Sequence, residues 1–179
     1  SACLVGSEMC IRDRTCLIHN DWRFDNVILD PNHPTQIIGV LDWEMATLGD
    51  PLMDLGSALA YWVEESDSAL FKATRRQPTN LKGMFTRKEV VDYYLEKTGL
   101  EVENWTFYEV FGIFRLAVIA QQIYYRYHHK QTNNPAFKDF WILIHALHIR
   151  ALKLIGLQKI EANEVAQKYI VKMKEILGK

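Results

Sequence analysis

His19-Asn20-Asp21-Trp22-Arg23-Phe24-Asp25-Asn26 (HNDWRFDN) decides how the rest of this chain is read. Apolar runs flank the octet, Cys16 to His19 leading into it and Val27 to Leu29 following it. A third run, Ile37 to Leu41 (IIGVL), is rich in β-branched residues and closes on Asp42-Trp43-Glu44. These runs predict three short strands, with Pro31 to Pro34 turning the chain between the second and third. Two polar clusters, one around Asp21 and one at Asp42, are thereby expected at neighbouring strand ends.

Beyond Asp42 the pattern turns helical. Asp50-Pro51 places an N-cap ahead of a first-turn proline, and apolar residues follow to about Val63. Glu64 to Lys82 is mixed and polar, a loop with some helix. Thr86-Arg87-Lys88-Glu89 and Thr106-Phe107-Tyr108-Glu109 both match the capping box, in which side chains at each end satisfy free backbone N–H groups. The first of these helices should end near Gly99. The second carries Phe107, Val110, Phe111, Phe114, Val118, Gln121 and Tyr125 at helical spacing, which predicts a core stripe, and it closes on His128 and His129. Asn134-Pro135 opens a further helix ending at Gly156, and Glu161 to Leu177 reads as a last amphipathic helix. The expected fold class is α+β, mostly helical.

The 179 residues are 49% apolar and 24% charged, enough for one domain with a sizeable core. A formal net charge of −1 sets up no field toward nucleic acid or an anionic membrane, and no apolar run is long enough to span a bilayer. Neither partner is expected. Cys3, Cys10 and Cys16 crowd one end with nothing to pair with across the fold, which fits a reducing cytoplasm. Nothing bears on oligomeric state. Val5 to Arg14 (VGSEMCIRDR) resembles a translated transposase adapter from library preparation, so residues 1–14 are set apart as a non-native tail and 15–179 are read as the domain.

Asp21, Asn26 and Asp42 form a divided set of oxygen donors. Transfer of a γ-phosphoryl group demands positioning, a carboxylate near the attacking hydroxyl, and hard ligands for the metal on the triphosphate. One carboxylate can face an acceptor while an amide and a second carboxylate hold Mg2+. The pattern His-x-Asp-x4-Asn, followed about sixteen residues later by an aspartate ending an apolar strand, resembles the catalytic loop and metal-binding aspartate of aminoglycoside phosphotransferases, choline kinases and, more distantly, protein kinases. GDPLMDLG, Gly49 to Gly56, is similar to the same family, and LDWEMATLGDPLMDL comes closest to phosphotransferase domains related to those fused to acyl-CoA dehydrogenases. The motifs cover Leu17 to Leu59.

The resemblance implies the C-terminal lobe of a protein-kinase-like fold and a phosphotransferase using ATP and Mg2+ on a small-molecule hydroxyl. It makes Asp21 the base, Asn26 and Asp42 the metal and nucleotide ligands, and His19 a brace for the loop. Arg23, where protein kinases carry lysine, would neutralise the transferring group. Asp50 and Asp54 are assigned structural roles, the first as a helix cap and the second as a first-turn carboxylate favoured by the helix N-terminus. Asn20 departs from the family's commonest glycine. No glycine-rich loop and no lysine precede Asp21, so the N-terminal half of an ATP cleft is missing from these residues and the fragment is expected to be inactive alone.

The alternative from another class is a non-catalytic helical binding module that keeps the loop as scaffold. A protein kinase is disfavoured by the lack of Asp-Phe-Gly and Ala-Pro-Glu after Asp42. His145 and His148 lie three apart on one helix face, but without a third ligand packing is expected. From Thr106 to Ile155, Arg115, Arg126, Lys130, Lys138, Arg150 and Lys153 face only Glu109 and Asp139. That imbalance suits a neutral or anionic acceptor, such as a hydroxy acid or its thioester, better than a polycationic aminoglycoside.

Overall fold

The computed structural model describes residues 15–156. The tail set apart at 1–14 and the helix expected over Glu161 to Leu177 lie outside the described residues. Among the described residues four strands form, one more than expected. Strand β1 (Cys16–Ile18) pairs antiparallel with β4 (Thr47–Gly49), and β2 (Val27–Leu29) pairs antiparallel with β3 (Ile37–Val40). β4 is three residues without alternation, and it exists because Leu48 sits opposite Leu17, far away in sequence. Between β2 and β3, the Asp30 carboxylate accepts the N–H groups of Asn32 and His33 at 2.7 and 3.0 Å, which closes the turn.

Among the described residues five α-helices follow, α1 (Pro51–Ala60), α2 (Ala69–Ala73), α3 (Arg87–Thr98), α4 (Trp105–His128) and α5 (Phe140–Leu154), so the domain is α+β and mostly helical. Asp50 caps α1 as expected, its Oδ1 accepting the Leu52 N–H at 2.8 Å, and the helix stops at Ala60 rather than near Val63. The capping box at Thr86 and Glu89 is present, and α3 ends at a left-handed Gly99 with φ of 69°. Thr86, through its backbone N–H and its hydroxyl, holds the Glu89 carboxyl below the ordinary carboxylate range. The second expected box is displaced: Asn104 Oδ1 accepts the Thr106 N–H at 3.0 Å, so Thr106 lies inside the first turn of α4 instead of capping it. After Asn134 a 3-10 turn (Pro135–Phe137) precedes α5.

The core face of α4 also differs from expectation. Phe107, Phe114, Val118 and Tyr125 are exposed, whereas Gly112, Ile113, Leu116 and Ala120 are buried. This helix is apolar nearly all round, so periodicity alone does not select a side. Backbone contact does: a Cβ on Gly112 would overlap the Gly56 carbonyl of α1.

The described chain divides into two compact units. One comprises the chain up to Asp67 together with Arg75–Gly112, and has Ile18, Leu52, Leu59, Val63 and Val91 in its core. Within it Arg87 gathers the segment after α1, donating to the Trp62 carbonyl at 2.8 Å and to both Asp67 oxygens at 2.7 and 2.8 Å. Burial alone would lower the Arg87 pKa, but the Asp67 hydrogen bonds and the charges of Asp67, Glu64 and Glu109 outweigh it and raise it. The other unit comprises Ser68–Thr74 and the chain from Ile113 onward, with α2 against α5 and the Arg150 guanidinium 5.1 Å from the Phe71 ring centroid. No helix among the described residues is long and apolar enough to cross a membrane.

Candidate active site

The octet connects β1 to β2 and is held from beneath by α1. His19 is 3% exposed. Its N–H and that of Asn20 both donate to the Asp54 carboxylate, each at 2.8 Å. The His19 ring accepts the Asp21 N–H on Nδ1 at 3.2 Å and donates from Nε2 to the Leu41 carbonyl at 2.7 Å, an arrangement that defines one neutral tautomer. Trp43, left without a role on sequence grounds, packs on that ring at 4.8 Å between centroids and anchors its indole N–H to the Val40 carbonyl at 2.8 Å.

Asn20 is left-handed, with φ of 64°. Glycine and asparagine are the residues that enter this region most readily, which accounts for asparagine standing in the family's glycine position. The asparagine adds something glycine lacks, a hydrogen bond from Nδ2 to the Met45 carbonyl at 3.0 Å.

Asp21 and Asn26 are brought together. The buried Asn26 turns its Nδ2 onto the Asp21 carbonyl at 2.8 Å and toward Asp21 Oδ2 at 3.4 Å, which leaves Oδ1 as the donor atom for a cation. Asp42 comes next to them through the backbone: the Leu41 N–H donates to the Asn26 carbonyl at 2.8 Å, and Asp42 follows, exposed and left-handed with φ of 63°. Arg23 places Nη2 3.2 Å from Asp25 and Nε 3.7 Å from Asp21 Oδ2.

Three residues that sequence reasoning missed or under-used hold this loop. Tyr61 donates its hydroxyl to Asp21 Oδ1 at 3.3 Å and lies 5.2 Å beneath the Arg23 guanidinium. Gln77, 5% exposed, accepts the Phe24 N–H on Oε1 at 2.9 Å. Asp54, expected only to favour its own helix N-terminus, grips the loop backbone instead. Gln77 carries no local signal at all, whereas Tyr61 is the C-cap of α1 and is placed once that helix is.

Beside the loop lies a cavity of about 440 Å³ lined by Leu17, Trp22, Arg23, Leu55, Leu59 and Tyr94. Burial, and after it the negative surroundings of Cys16, Asp54 and Asp50, push the Tyr94 phenol up from its ordinary range. Among the described residues no three His, Cys, Asp or Glu side chains cluster as a metal cage. One amide and one carboxylate are what Mg2+ accepts when substrate phosphates and water complete its shell, so Asn26 and Asp42 fit that ion.

A loop of this design on short strands ahead of helices is that of a kinase-like phosphotransferase. Residues 7–89 match the phosphotransferase enzyme family. It is 39% identical over 117 residues to acyl-CoA dehydrogenase family member 10 of Mus musculus, covering 64% of this chain and 11% of that protein. It is 32% identical over 145 residues to acyl-CoA dehydrogenase family member 11 of the same organism, covering 80% of this chain and 18% of that one. The chain thus spans less than a fifth of these relatives. Among solved structures it resembles a candidate aminoglycoside phosphotransferase from Ralstonia eutropha, with a TM-score of 0.59 and 26% identity over 75% of this chain and 42% of that one.

Proposed function

We propose that the complete gene product transfers the γ-phosphoryl group of ATP to a hydroxyl of a small molecule in the cytoplasm. The observation that carries this reading is the coupling of Asp21 to Asn26 on a loop whose backbone is clamped by Asp54. Asp21 receives the proton of the acceptor hydroxyl as its oxygen bonds to the γ-phosphorus, and the bond to the bridging oxygen breaks to release ADP. Asn26 Oδ1 and the Asp42 carboxylate would hold Mg2+, which supplies charge neutralisation at the phosphates when bound. His19 braces the loop, and Arg23 balances charge on the transferring group.

For the acceptor we favour a hydroxy acid or its thioester. The excess of cations between Thr106 and Ile155 supports an acceptor without positive charge, although Arg150 among them is engaged with Phe71. The relatives' description as acyl-CoA dehydrogenases points to acyl thioester chemistry as the setting.

The test measures ADP release by the complete gene product with MgATP and a panel of hydroxy acids, their coenzyme A thioesters and an aminoglycoside. Asp21→Asn should lower kcat by about 10²–10⁴-fold, the usual worth of a general base, at an unchanged melting temperature. Turnover of the aminoglycoside at the rate of the best hydroxy acid would sink the acceptor assignment. Full activity in Asp21→Asn would remove Asp21 as the base, and absence of turnover with every acceptor of the panel would remove the catalytic reading and leave a binding module.

A further inference from the structure

We infer that Tyr61 is a positioning residue that keeps Asp21 and Arg23 from closing into a hydrogen-bonded pair and holds them aimed, an assignment that rests on the proposed roles of those two side chains. Tyr61 follows Asp54 by seven residues, about two helical turns, and is the C-cap that ends α1 with helical backbone angles. The two divide the loop between them. Asp54 takes its backbone at His19 and Asn20, while Tyr61 takes its reactive side chains.

Asp21 and Arg23 carry opposite charges two positions apart and would gain by closing into a contact ion pair. They form only a loose ion pair that stops short of a hydrogen bond. Arg23 Nε stands 3.7 Å from Asp21 Oδ2, beyond hydrogen-bond reach, and this buried nitrogen makes no hydrogen bond. The contacts that hold it off are Tyr61 and Asp25: the ring faces the guanidinium at 5.2 Å, Asp25 takes Nη2 at 3.2 Å, and the Tyr61 hydroxyl occupies the other Asp21 oxygen at 3.3 Å. A closed pair would cover the carboxylate oxygen needed for the acceptor proton and spend the cation needed at the phosphoryl group. Tyr61 is itself well seated. The next residue, Trp62, is locked by its carbonyl to Arg87 at 2.8 Å, by its indole N–H to the Phe85 carbonyl at 2.9 Å, and by its ring on Phe24 at 5.5 Å.

The experiment compares Tyr61→Phe, Tyr61→Leu, Asp21→Asn and the double variant Asp21→Asn/Tyr61→Phe in the complete gene product. ADP release is measured with MgATP, using the best acceptor of the panel and water. Tyr61→Phe should lower kcat about tenfold, the scale of one hydrogen bond to a charged acceptor, with KM for ATP and the melting temperature unchanged. Tyr61→Leu, which also removes the ring beneath Arg23, should lose more. In the Asp21→Asn background Tyr61→Phe should cost nothing further, because the carboxylate base that it positions is gone. Wild-type kcat in Tyr61→Phe, a penalty undiminished in the Asp21→Asn background, or failure of Tyr61→Phe to fold would each overturn the assignment while leaving Asp21 as base. Full activity in Asp21→Asn, or no turnover by the wild type, would overturn both readings together.

Discussion

Gly112 of α4 rests against Gly56 of α1 so closely that a Cβ on Gly112 would overlap the Gly56 carbonyl, while a Cβ on Gly56 would overlap the Tyr108 carbonyl. The crossing sets how near α4 comes to the helix that carries Asp54 and ends at Tyr61. Tyr108 reinforces it by donating its hydroxyl to Asp50 Oδ2 at 3.0 Å.

Gly112→Ala should therefore destabilise, despite alanine's better helix propensity. Overpacking costs about 1–3 kcal/mol and the helix preference returns at most about 1 kcal/mol, so the steric term wins. The denaturant midpoint of this variant should fall at constant m-value. A midpoint equal to or above wild type would show that the helices separate freely.

Asp54→Ala should be costly for a different reason. It leaves the N–H groups of His19 and Asn20 without their acceptor, one of them on a left-handed residue. Hydrogen bonds to charged groups contribute about 1.5–3 kcal/mol each, so a loss of about 3 kcal/mol is expected. Asp54→Asn should recover only part of it, since its amide nitrogen opposes one of the two donors. Equal stabilities for the two variants would argue against the clamp.

A pH dependence is expected in the unit containing α5. Burial, and after it the neighbouring His148, hold the His145 imidazole below its usual range. Between that lowered value and about pH 6.5 the unfolded chain binds the proton and the folded chain does not. Stability from this group is thus whole above about pH 6.5 and declines on acidification below it. Urea midpoints across that interval should slope in the wild type and slope less in His145→Gln. Parallel slopes would show that other groups carry the acid sensitivity.

How much of this was legible beforehand depends on the range of each interaction. The Asp50 cap, the Thr86 and Glu89 box and the Gly99 stop were readable because each is settled within about four residues of itself. The second box misled because Asn104, two residues ahead of Thr106, is also a good cap, and the pattern cannot say which one the helix uses. β4 was not readable because three residues carry no period, and their strand character comes from pairing with β1.

The order of Asp21, Asn26 and Asp42 among apolar runs was determined by the sequence itself, since the chemistry of the donors and the short loop between the first two are properties of the chain alone. Only the tertiary structure decided which side of the uniformly apolar α4 is buried, that Asp54 serves the loop backbone, and that Tyr61 touches both Asp21 and Arg23. Such contacts join residues thirty-five and forty positions apart. Local propensity is blind to them, because they form only when packing at Gly56 and Gly112 and pairing of β1 with β4 bring the elements together.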